Sequence, residues 1–132
     1  HELRLDVAEL AAMPDQQRVE VTYRAGSETE RHVFTGPLLL DVLGQAGPRF
    51  DPAVKNDKLR HYVSVTASDA YQALLAYGEL DPAFESKPVL LAVTQDGAPF
   101  AGGRPRLIVP GDAAGGRYVT DVVRIRIDRP PE

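Results

Sequence analysis

The chain has 132 residues, 43% of them hydrophobic and 26% charged, and its 19 acidic and 15 basic side chains leave a net charge of −4. That length fits one domain able to hide roughly two thirds of the surface its unfolded chain exposes, and the composition is far from the weakly apolar, highly charged regime of disorder. No basic block is present to meet a phosphate backbone, so nucleic acid is not an expected partner, and no apolar run approaches the roughly eighteen residues of a transmembrane segment.

The chain opens on His1 rather than a methionine and carries no charged-then-apolar leader, as a processed or trimmed form would. Leu3, Leu5 and Val7 alternate as a short strand. Asp6 followed by Glu9 reads as a capping box opening a brief helix that Pro14 ends. Val19, Val21 and Tyr23 alternate with Arg18, Glu20 and Thr22, and Ala25-Gly26-Ser27 can turn the chain into a partner strand ending near Phe34, so a hairpin is predicted. After Gly36, Pro37 suits the first position of a helix, because its ring presets φ and its missing N–H needs no partner there. Leu38, Leu39, Val42 and Leu43 share one face of that helix, and Gly44 or Gly47 can end it.

Residues 49–59 are polar, contain Pro52 and read as a connection, and Tyr62–Ala67 reads as a strand. The run 71–75 suits a strand or a helical turn equally. Residues 89–94 form a buried strand, Asp96-Gly97 a turn, 107–109 a further strand, and 119–127 alternates again. No repeat or long Ser/Gly linker divides the chain. The prediction is one α+β domain over 1–132, with a mixed, largely antiparallel sheet and a few short helices.

The residue types that carry chemistry form no recognisable catalytic set. Cysteine is absent, which excludes disulfides, thiolate ligands and thiol nucleophiles. His1, His32 and His61 share no metal-ligand spacing, and an exposed or locally bonded imidazole is the expectation for His32 and His61. Ser27, Ser64, Ser68 and Ser86 lack a nucleophile elbow. Glu79, Asp81 and Glu85 surround Pro82, where carboxylates solvate a surface or cap a helix. Asp69, ahead of a strand, is expected to bond nearby N–H groups in a turn.

Four segments follow one another in a distinctive order: Phe34-Thr35-Gly36-Pro37-Leu38-Leu39-Leu40, then Ser68-Asp69-Ala70-Tyr71, then Gly103-Arg104-Pro105-Arg106-Leu107-Ile108-Val109-Pro110-Gly111, then Arg117-Tyr118-Val119. In these the chain resembles the molybdopterin-binding domain of the sulfite oxidase family from Leu3 to Ile127. The resemblance implies that family's fold, a molybdopterin cofactor and an extracytoplasmic home.

Two departures limit what it implies about activity. The family's molybdenum-binding cysteine falls near Ala25, whose methyl has no lone pair, and the Tyr118-Val119-Thr120-Asp121 segment lacks the family's lysine. A retained pterin would then be held through its own dithiolene and its phosphate. Arg104, Arg106 and Arg117 would supply charge, Gly103 and Gly116 backbone N–H groups, and Asp69 and Tyr71 orientation. No catalytic residue and no metal ligand is implied. The expected function is a noncatalytic binding or scaffold domain for a pterin or another anionic small molecule. One alternative is a molybdopterin-dependent oxidoreductase, or a subunit of one, that holds its cofactor without a cysteine ligand. The other is a domain that binds a protein partner through an exposed sheet edge or an apolar patch.

Overall fold

Hydrophobic alternation, more than helix propensity, sets the elements of the computed structural model, which describes residues 2–3 and 6–131. Strand β1 (Glu2–Leu3) is shorter than the Leu3-Leu5-Val7 alternation suggests. Leu5 lies outside the described residues, and Val7 belongs to helix α1 (Val7–Ala11) because the Asp6 carboxylate accepts the Glu9 N–H at 2.8 Å, satisfying a donor the helix leaves open.

Strands β2 (Gln17–Ala25) and β3 (Glu28–Gly36) form the predicted hairpin, paired from Gln17↔Gly36 to Ala25↔Glu28. Its two-residue turn places Gly26 at φ 64°, a backbone angle glycine adopts without steric cost. Helix α2 (Leu39–Gln45) begins two residues later than Pro37 would set it. Leu38 is still extended, forms a bridge with Leu90, and is followed by a Leu39 N–H given to the Val89 carbonyl at 2.8 Å. Sheet-like pairing therefore holds the chain until Leu39. Gly47, at φ 61°, follows the C-cap Ala46 and ends the helix.

The connection 49–59 runs into a short 3-10 turn, Asp57–Arg60. Beyond it, β4 (Tyr62–Ala67) and β5 (Gln72–Ala76) show that the ambiguous run is a strand, which leads directly into α3 (Tyr77–Leu80). The buried run 89–94 is two strands, β6 (Leu90–Ala92) and β7 (Thr94–Gln95), interrupted at Val93. Asp96 and Gly97, at φ 51° and 84°, turn β7 into β8 (Ala98–Pro99). Strand β9 (Arg106–Ile108) precedes a 3-10 turn at Gly115–Arg117 and the last strand, β10 (Val122–Asp128). β10 starts later than the alternation from 119 because the Val119 carbonyl accepts the Leu107 N–H at 2.9 Å.

These strands form three antiparallel sheets, in the orders β1-β10-β4-β5, β2-β3-β7-β8 and β6-β9. The single mixed sheet expected from the sequence is not formed: parallel pairing among the described residues is limited to an isolated Arg24↔Ala114 bridge. Tight turns account for the antiparallel β2–β3, β4–β5 and β7–β8 pairs, while long connections bring the chain back antiparallel at β10–β4, β3–β7 and β6–β9.

One core joins all three sheets, with Leu10, Phe34, Leu39, Val63, Val65, Leu90, Leu107 and Ile108 completely buried. Each such side chain contributes about 1.5–3 kcal/mol by leaving water. β3 crosses closest to β6 at Gly36, where a Cβ would overlap the Leu91 carbonyl oxygen and lie 2.8 Å from the Ala92 Cα. Both obstacles are backbone, so neither can move aside. Gly36→Ala is expected to destabilise the fold by about 3 kcal/mol, measured as a fall in the urea midpoint with the slope unchanged.

Candidate functional site

The inner face of the β2–β3 hairpin brings Tyr23, His32 and Phe34 together. The loop after β9 adds Tyr118, whose ring lies 4.4 Å from that of Tyr23 and 6.5 Å from that of Phe34. Into this group β9 projects Arg106. Its guanidinium carbon stands 6.0 Å from the Tyr23 ring centre and 5.8 Å from those of Phe34 and Tyr118. Each ring offers the cation its negative π face.

Arg106 is partly buried and has no carboxylate partner among the described residues. Its Nε donates to the Tyr118 carbonyl at 3.4 Å and its Nη1 to Gln95 Oε1 at 3.2 Å, and Nη2 has no partner among the described residues. The Tyr118 hydroxyl is buried and also unpartnered. Burial, then the neighbouring Tyr23 and Asp112, push this phenol up to about 12, so it stays protonated and remains a donor at neutral pH.

His32 closes the other side of the aromatic group. Its Nδ1 lies 2.6 Å from Asp96 Oδ2 and its Nε2 lies 2.8 Å from Glu30 Oε1. Two carboxylates can both be satisfied only if both ring nitrogens donate, which is the imidazolium form. Glu30 first, and then Asp96, hold the imidazole above its ordinary pKa. His61 is locally bonded, as expected, with Nδ1 2.8 Å from the Asp57 carbonyl oxygen.

Arg117 has different surroundings. Its Nε and Nη2 each donate to Asp112 at 2.8 Å, and its Nη1 reaches the two Glu79 oxygens at 3.1 and 3.3 Å and the Leu74 carbonyl at 3.4 Å. Hydrogen bonding to Arg117 holds the Asp112 carboxyl below the usual range. Burial raises the Glu79 carboxyl, but the Ala76 N–H, Lys87 and Arg117 together outweigh it and keep the group low. Lys87 Nζ completes the cluster at 3.2 Å from Glu79. Two cations and two anions neutralise one another here, and every guanidinium nitrogen of Arg117 is already engaged.

Arg104 is about half exposed and pairs with Asp121 at 3.3 Å. It stands at the rim of an open groove of about 610 Å³, whose walls also carry Asp6, Glu9 and Arg124. Charges of both signs leave that groove without a cationic field. The three arginines named from the sequence therefore have separate partners and do not converge on one anion.

The remaining predicted residues form turns. Asp69 Oδ1 accepts the Tyr71 N–H at 3.0 Å, the expected turn contact, and Ala70 between them sits at φ 74°. The Tyr71 hydroxyl donates to the Gly116 carbonyl at 2.5 Å, so Gly116 presents an oxygen to its neighbour. The Gly103 N–H is given to the Phe100 carbonyl at 3.3 Å. Ala25 closes the hairpin opposite Glu28, beside the turn. The sequence reading missed Tyr23, His32, Phe34, Gln95 and Tyr118 as a group. The one signal for it was the hairpin register, since a two-residue turn puts Val19, Val21 and Tyr23 on one face with Phe34 and His32. Neither a model of any protein family nor any curated protein matches this chain.

The folded-state pKa of His32 lies above the roughly 6.5 of a free imidazole, so its bonds stabilise fully below that pH and fade as pH rises through the folded-state value. His32→Gln is expected to lower the melting temperature most at pH 5.5–6 and least above pH 8, as read by thermal melts across a pH series. For Arg117→Gln the expectation is a loss of about 2 kcal/mol at pH 7, because Asp112 and Glu79 would lose their main counter-charge. Both carboxylates titrate low in the fold, so that deficit should shrink as pH falls through their folded-state values, which denaturant titrations at pH 7 and pH 3 would reveal.

Proposed function

We propose that this chain is a noncatalytic binding domain of the sulfite-oxidase type, and that it takes an anionic small molecule on Arg106. The observation that carries this reading is a partly buried guanidinium with aromatic neighbours, an unused Nη2 and no carboxylate partner. A cation withdrawn from water without a counter-ion is unfavourable, so an arriving oxyanion gains charge-assisted hydrogen bonds that nothing inside the fold supplies. The rings of Tyr23, Phe34 and Tyr118 restrict the side chain beforehand, which lowers the ordering cost of binding. Phosphates and carboxylates fit this chemistry, and a phosphate-bearing pterin belongs to the same class.

The residues present do not fit a molybdenum ion ligated by the polypeptide. Ala25 has no donor atom, and the described residues contain no group of three His, Cys, Asp or Glu side chains able to hold a metal. Arg117 is occupied by Asp112 and Glu79, which leaves Arg106 as the cation suited to the cofactor's phosphate.

Titration with inorganic phosphate, followed through the Arg106 Nε–Hε resonance, is expected to give saturable shifts. Arg106→Lys should weaken binding by about tenfold or more, the equivalent of one charge-assisted hydrogen bond of about 1.5–3 kcal/mol. An unmoved resonance would overturn the reading. So would purified protein holding molybdenum one to one and turning over sulfite.

A further inference from the structure

Strand β2 is a long sheet edge left uncovered along most of its length among the described residues. The opposite edge of its sheet ends in the two-residue β8, which carries Pro99. In the other four-stranded sheet, the edge strand β5 has its Leu74 carbonyl taken by Arg117, and β1 has only two residues. Short strands, proline and covering segments are the usual protections of an edge; the 113–114 segment covers β2 at Arg24, and none of them protects it from Gln17 to Tyr23.

The phase of its backbone is fixed by what surrounds it. The Arg24 N–H points away from β3, since it donates to the Ala113 carbonyl at 2.9 Å. Alternation along the strand then points the N–H and C=O groups of Arg18, Glu20 and Thr22 outward as well. On β3, the Val33 and Thr35 carbonyls accept from Asp96 and Val93 on the far side, which is the same phase read from the other strand. The side chains of Arg18, Glu20 and Thr22 are all exposed.

We propose that β2 pairs with β2 of a second copy, antiparallel and centred on Val19, to form a homodimer. In that register Arg18 lies opposite Glu20 of the other copy, and Glu20 opposite its Arg18. Each of these pairs is of the hydrogen-bonded kind, exchanging two main-chain bonds, with opposite charges facing across the new ladder. The occupant is a second copy because the sequence Arg-Val-Glu is its own electrostatic complement when reversed. Neighbouring registers lack this match: centring on Glu20 sets Glu20 against itself, and centring on Val21 sets Arg18 against Arg24. Across the Val19-centred ladder Arg18 of one copy meets Glu20 of the other, a carboxylate that also takes Arg31 of its own β3. This surface is independent of Arg106 and of the ligand proposed for it.

Sedimentation or light scattering from micromolar to millimolar protein is expected to show a concentration-dependent rise to twice the chain mass. Arg18→Glu and Glu20→Arg should each remain monomeric over the range where the unaltered protein dimerises, and the double variant R18E/E20R should dimerise again. Amide exchange of Arg18 and Glu20 should slow only in the dimer, while circular dichroism reports whether each variant folds. A monomer at every concentration overturns the proposal, as does a dimer indifferent to Arg18→Glu. A double variant that folds but stays monomeric overturns it too.

Discussion

The clasp of Arg117 on Asp112 and Glu79 is the interaction on which the arrangement around the candidate site depends. It joins the 3-10 turn at Gly115–Arg117 to α3 and to the edge of β5, three parts of the chain that no regular hydrogen-bond ladder connects. With that turn fixed, Tyr118 is directed inward against Tyr23, and its carbonyl is placed to receive Arg106. Gly115 makes the approach feasible, since a Cβ there would come within 2.9 Å of the Tyr23 ring. Packing of the aromatic group therefore begins with an ion pair at its margin.

The two buried-facing arginines show how neighbours decide what a cation can do. Arg117 is surrounded by carboxylates and serves as a tie within the fold. Arg106 is surrounded by rings, which attract the charge but offer no acceptor atom in place of water. Opposite assignments are thus reached by two residues only eleven positions apart, and the difference lies in their surroundings.

Much of the fold was legible in the sequence wherever the controlling interaction is local. The β2–β3 hairpin, the Asp6 cap and the Asp96-Gly97 turn depend on residues near one another in the chain. Errors arose where a distant strand intervened. Pro37 does not open α2, because Leu38 and Leu39 are first held by Val89 and Leu90. The run 89–94 breaks at Val93, since that residue lies between two different partners, β9 and β3.

For the candidate site the division is sharper. Composition and order of residues by themselves determined that no thiol chemistry exists and that helices are short, whereas the antiparallel pairing of β10–β4, β3–β7 and β6–β9 was decided only when segments far apart in the chain met. Only the tertiary structure decided which of Arg104, Arg106 and Arg117 keeps an unused donor. Charge is a property of a residue type, but neutralisation depends on distance, and Glu79 reaches Arg117 across 38 positions of chain for which no periodicity or motif provides a sign.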